Sequence, residues 1–168
     1  QVIVWEEDQG GGSYVCSLAV YDPASSTTNT IQIATDARKP DVAILDDPGT
    51  GTHGVIIVHV VYEDVNPATP VIVDDYISVS GLMGAGTPSL GSFGSNNTNV
   101  SNTSYSSSYP HIDAYVKYDA SGDYWGAGNT YESYEHFVIT WTEDRTSSSG
   151  NMEVWVEDGT SGGTNNNQ

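Results

Sequence analysis

Basic side chains are nearly absent: four Lys and Arg stand against 22 Asp and Glu, and the formal net charge is −18. Neutralising phosphates takes a Lys/Arg-rich patch, so this balance argues against a nucleic-acid partner. An anionic membrane surface repels the chain for the same reason. No apolar run approaches the ~18 residues needed to cross a bilayer. Leu is scarce, with 4 copies against 28 Val and Ile; β-branched residues suit a pleated surface better than a helix. A single cysteine, Cys16, has no internal disulfide partner. It lies in the alternating stretch Tyr14 to Tyr21 and reads as a small buried apolar residue. With no initial Met and no basic, apolar leader, the expectation is a processed product or a piece of a longer chain.

What is present points to an all-β protein. Ser, Thr, Asn and Gly make up 65 of 168 residues, and 11 Tyr and 4 Trp outnumber 2 Phe. Short apolar runs are separated by turn residues. Residues 2–21 read as a hairpin around Gly10-Gly11-Gly12, and Ile31 to Ala34 as a short third strand. Pro40 to Leu45 opens a second unit, followed by Val55 to Glu63, the longest apolar strand and the expected centre. Val71 to Val79 is expected to carry a bulge at Asp74-Asp75. His111 to Tyr118 alternates again, and Phe137 to Thr142 with Met152 to Val156 forms a last hairpin. No helix is expected; residues 127–136 leave room only for a short turn.

The strands repeat. Val2-Ile3-Val4-Trp5-Glu6-Glu7-Asp8 matches Val138-Ile139-Thr140-Trp141-Thr142-Glu143-Asp144 in residue type, and Val58-His59-Val60-Val61-Tyr62-Glu63-Asp64 is a looser third copy. Two copies follow a Pro-led strand, at Pro40 and Pro110. This unit resembles the blades of secreted β-propellers of bacteria and archaea, in which a strand opening Pro-x-Val-Ala precedes an apolar strand closing on Trp and acids. Pro40-Asp41-Val42-Ala43 fits that pattern and Pro110-His111-Ile112-Asp113-Ala114 fits it less well. The resemblance implies antiparallel sheets from about three blade-like repeats, near 1–36, 39–80 and 109–158, within one all-β domain over 1–158. Residues 81–108 are then an inserted loop and 159–168 a low-complexity tail. Propellers typically close with about four to eight blades, so a two-sheet sandwich remains the alternative fold. The first copy lacks its Pro-led strand and the last is expected to lack an outer strand. Exposed sheet edges invite pairing with another chain, so two expectations follow: either the chain is a piece of a longer propeller, or copies of it join head to tail by strand addition.

No constellation carries catalysis. Gly81-Leu82-Met83-Gly84-Ala85-Gly86 is followed by Thr87-Pro88 rather than a phosphate-binding helix. His53, His59, His111 and His136 lack zinc spacing, and His59 inside an apolar strand reads as a satisfied core residue. No Gly-x-Ser-x-Gly elbow occurs. Calcium is the most plausible ion, because it takes hard oxygen ligands from turns; the candidate ligands are Asp46, Asp47, Asp119 and Asp123. Sequons at Asn96, Asn99 and Asn102 cluster in the expected loop as glycosylation candidates. The expectation is therefore a non-enzymatic extracellular or cell-surface structural or adhesive module, self-assembling into a filament. The competing reading is part of a glycan-binding or glycan-cleaving propeller, with Tyr124 and Trp125 lining a sugar site.

Overall fold

A computed structural model of the chain describes residues 1–46, 56–82, 86–93, 97–101, 104–116, 135–144, 152–160 and 163–165, the backbone alone at 46, 115–116, 135–136 and from 152 onward. Among these residues every regular element is a strand and none is a helix. Twelve strands follow in order: β1 (Val2–Gly10), β2 (Ser13–Asp22), β3 (Thr27–Thr35), β4 (Ala37–Asp46), β5 (Ile56–Asp64), β6 (Val71–Ser80), β7 (Ser89–Leu90), β8 (Thr98–Asn99), β9 (Ser106–Val116), β10 (Glu135–Asp144), β11 (Met152–Thr160) and β12 (Gly163–Asn165). They form three antiparallel sheets: β1-β2-β3, then β4-β5-β6-β7 with β8 also on β6, then β9-β10-β11-β12.

The turn chemistry explains the first hairpin. Gly10 pairs with Ser13, leaving Gly11-Gly12 as a two-residue loop. All three glycines have positive φ, between 67° and 90°, the left-handed backbone that a right-twisted hairpin requires and that side chains disfavour. Asp8 accepts the Gly10 N–H at 2.7 Å.

The second sheet lies between the other two and is buried on both faces. On one face Val58, Val60 and Tyr62 of β5 pack with Cys16, Leu18 and Val20 of β2. On the other, Ala43, Leu45 and Val61 pack with Phe137, Ile139 and Trp141 of β10. A strand covered on both faces needs apolar residues at nearly every position, which is why Ile56–Asp64 reads as a continuous run.

Both proline-led strands carry the same device. Pro40 and Pro110 lie inside β4 and β9, each preceded by a non-glycine residue at positive φ: Lys39 at 51° and Tyr109 at 56°. Pairing slips at both places, between Arg38 and Asp41 and opposite Thr140 to Thr142. Proline cannot donate to a ladder, so it is tolerated at an edge strand or a bulge, and β4 and β9 are both edge strands of their sheets.

Several expectations need correction. β5 and β6 pair without a slip from Ile56–Val79 to Asp64–Val71, so no bulge interrupts that ladder at Asp74-Asp75. The two buried carboxylates stay in register because each has a partner: Asp74 meets His59, and Asp75 accepts the Tyr76 N–H. Residues 81–108 are not a free insertion. β7 and β8 pair with β6, and Val100 N–H donates to Ile72 O at 2.9 Å. The third sheet does have an outer strand, since β11 runs to Thr160 and β12 pairs with it; residues 159–168 are thus not wholly a tail. The looser third repeat is shifted by one residue. Tyr62, not Val61, shares the facing of Trp141, because Val61 packs toward the third sheet while Tyr62 packs toward the first. A one-residue slip exchanges the faces of a strand.

Candidate functional site

With Tyr62 aligned to Trp141, β1, β5 and β10 become equivalent strands, and they differ in what surrounds them. β5 lies between β4 and β6, and β10 between β9 and β11. β1 pairs with β2 alone among the described residues. No described residue pairs with its other edge, at the position where the other two sheets hold a proline-led strand.

The facing of β1 follows from alternation. Val2 and Val4 pack into the core shared with the second sheet, so Ile3, Trp5 and Glu7 occupy the opposite face. Ile3 is 59% exposed, the equal of any large apolar side chain described. Trp5 Nε1 donates to Glu7 Oε1 at 2.6 Å. The equivalent pair in β10 makes the same bond, Trp141 Nε1 to Glu143 Oε1 at 3.2 Å. There it is enclosed by the second sheet, with Trp141 4% exposed and Glu143 fully buried.

Where the three sheets meet, Lys39 ties them together. Its backbone N–H donates to Glu6 of the first sheet at 2.8 Å. Its Nζ contacts Glu63 Oε2 at 2.8 Å and Ser108 Oγ at 2.7 Å, and it lies 3.8 Å from the centre of the Tyr109 ring. The left-handed backbone at Lys39 turns its N–H toward Glu6 while the side chain crosses to the third sheet. In a chain with four basic side chains this one neutralises a nearly buried carboxylate, a geometry worth more than an exposed ion pair.

Two histidine–carboxylate pairs have nearly the same length and opposite settings. His59 Nδ1 lies 3.0 Å from Asp74 Oδ1, both buried. With a carboxylate as acceptor, Nδ1 carries the hydrogen. Tyr76 stacks on the ring at 5.0 Å and Phe137 tilts against it at 4.3 Å. Such a dyad resembles a general base by composition, but it is sealed between two sheets and reaches no solvent. The second pair, His111 Nδ1 and Asp41 Oδ2 at 3.1 Å, is exposed. Asp41 also accepts the Ile112 N–H.

The residues singled out from the sequence divide accordingly. Asp47, Asp119, Asp123, Tyr124, Trp125, Asn96 and Asn102 lie outside the described residues, and of Asp46 only the backbone is described, paired with Ile56. No group of three or more potential metal ligands occurs among the described residues. Asn99 lies exposed in β8 and accepts a hydrogen bond from Ser101 Oγ at 3.2 Å, while Ser101 itself is buried. Cys16 is buried and unpaired. Its thiol is pushed up to about 12 by burial and by the nearby Glu6 charge. Sequence reasoning missed the His59–Asp74 pair and the Lys39 junction. The one available signal for the latter was a lysine immediately before the repeat's proline.

Fold and site together define an all-β protein of three stacked antiparallel sheets, in which β1 alone of the three equivalent strands has a single described neighbour, with no membrane-crossing helix among the described residues. No family model, curated protein or solved structure matches the chain.

Proposed function

We propose that the three sheets are successive blade-like units of a secreted or cell-surface structural module. The module is non-enzymatic and adhesive, and it assembles end to end with copies of itself. The observation that carries this reading is the edge of β1 away from β2. Its two equivalents are each completed by a proline-led neighbour, whereas no described residue pairs with that edge of β1. Backbone hydrogen bonds from a strand of an adjoining subunit would complete the first sheet, a mode of association that joins unlike surfaces and propagates. The acidic, Ser/Thr/Asn/Gly-rich composition supports an extracellular setting.

Negative-stain microscopy with size-exclusion chromatography tests the reading. Regular filaments or a ladder of oligomers is expected, and a synthetic peptide of residues 37–46 should cap the β1 edge and shorten them. Loss of the filaments on chelation would place calcium at the joints. A monodisperse monomer indifferent to the peptide would overturn the proposal.

A further inference from the structure

The uncovered face of the first sheet has a counterpart inside the same molecule, and that counterpart shows what covers it. Ile3, Trp5 and Glu7 correspond to Ile139, Trp141 and Glu143, with the indole-to-carboxylate bond present in both. In the third sheet these positions are buried against Ala43, Val61 and Leu45 of the second. The receiving surface therefore consists of one face of β4 and β5.

An equivalent receiving surface exists at the other end of the stack. Aligning Pro40 with Pro110 and Tyr62 with Trp141 maps Asp41, Ala43, His59 and Val61 onto His111, Asp113, Val138 and Thr140. Because Ile139 and Trp141 face the second sheet, Val138 and Thr140 face away from it. These four residues, with Asp41 and Ile112, line an open recess of about 330 Å³. The molecule thus presents an apolar ridge at one end and, at the other, the position that receives such a ridge internally.

We infer that the Ile3–Trp5 face of one copy docks on the Val138–Thr140 recess of a second copy, continuing the stack of sheets from molecule to molecule. This inference rests on the end-to-end reading above and adds to its strand pairing at the β1 edge a second contact, between sheet faces, on which stable assembly depends. Both faces carry acids, Glu7 on one side and Asp41 and Asp113 on the other, and the whole chain carries −18. Repulsion opposes docking at low ionic strength, and salt, which shortens the screening length from about 10 Å at 0.1 M to about 3 Å at 1 M, should release it.

Sedimentation velocity of the intact chain across NaCl concentrations provides the test, with Ile3→Asp and Thr140→Arg as the two variants. Ile3 is exposed, and Asp113→Arg, at an exposed position in the same recess, substitutes should Thr140→Arg perturb folding; circular dichroism checks each. The wild type is expected to grow in mass with salt. Each variant alone should stay at the mass of one chain, because each retains only one competent face. Mixing the two should give a species of two chains and nothing larger. Growth of both variants like the wild type would overturn the face assignment while leaving end-to-end assembly standing. A mixture that stays monomeric would also overturn it. A wild type that remains monomeric at every salt and protein concentration would overturn both proposals and leave the face to another polypeptide.

Discussion

Trp5-x-Glu7 and Trp141-x-Glu143 are the same three-residue pattern on equivalent strands, with the same bond from indole to carboxylate. One lies on an open face and the other is enclosed between sheets. The local geometry is therefore a property of the strand: residues two apart share a face and can meet. What the pair contributes is a property of its cover. An exposed carboxylate can exchange its indole partner for water, whereas a buried one that loses its donor stays desolvated.

The largest expected effect separates the two tryptophans. Trp141→Ala empties part of a packed core and removes one hydrogen bond to the buried Glu143, and it should cost about 3–5 kcal/mol. Trp5→Ala should cost about 1 kcal/mol or less in the isolated chain, where its face is uncovered. Urea denaturation of both variants under conditions that keep the chain monomeric makes the comparison. Equal shifts in midpoint would mean that the first sheet's face is covered in the isolated chain too.

A second contrast uses the two histidine–carboxylate pairs. His59→Ala leaves Asp74 buried without its partner and opens space beside Phe137, for an expected loss of about 3–5 kcal/mol. His111, 79% exposed at its side chain, should be replaceable by Ala within about 1 kcal/mol. The distances, 3.0 and 3.1 Å, differ too little to predict this. A thermal melt in which both variants lose the same stability would show that solvent reaches His59.

Much of this architecture was legible because β-branched alternation marks strands directly. The hairpin at 2–21 and the strand Ile56–Asp64 follow from runs such as Val2-Ile3-Val4 and Val58 to Val61. Facing was harder to read. Val61 and Tyr62 are both apolar, so the type match between repeats admitted two registers, and only packing on two different sheets distinguishes them. β12 was missed because Gly163-Thr164-Asn165 has little β propensity and is held as a strand by its pairing with β11. The single described neighbour of β1 matches the lack of a proline-led strand before the first repeat. The recess was not legible, because it requires knowing which side of β10 Thr140 occupies. The His59–Asp74 pair depends on two strands aligning across a turn, and no spacing rule encodes that.

The first sheet offers a final, smaller test, since its two faces should differ in chemistry as well as in cover. Cys16 lies on the covered face, and its thiol is raised from 9.0 to about 12, chiefly by burial. Tyr62, packed in the same core, is raised in the same direction by burial and by the charge of Asp75. Between the ordinary and raised values the unfolded chain releases these protons and the folded chain keeps them. The unfolded state then binds fewer protons, so stability falls as pH rises from about 9 and levels off near 12 for the thiol. Cys16→Ala should flatten the decline without abolishing it, because Tyr62 remains. Urea midpoints at pH 8 and pH 11 for both chains measure this. Native Cys16 should also resist a thiol reagent at pH 8 and react on unfolding. Rapid labelling of the folded chain would mean that the interface between the first and second sheets opens, and that the contrast between the two faces of β1 and β2 is weaker than their packing indicates.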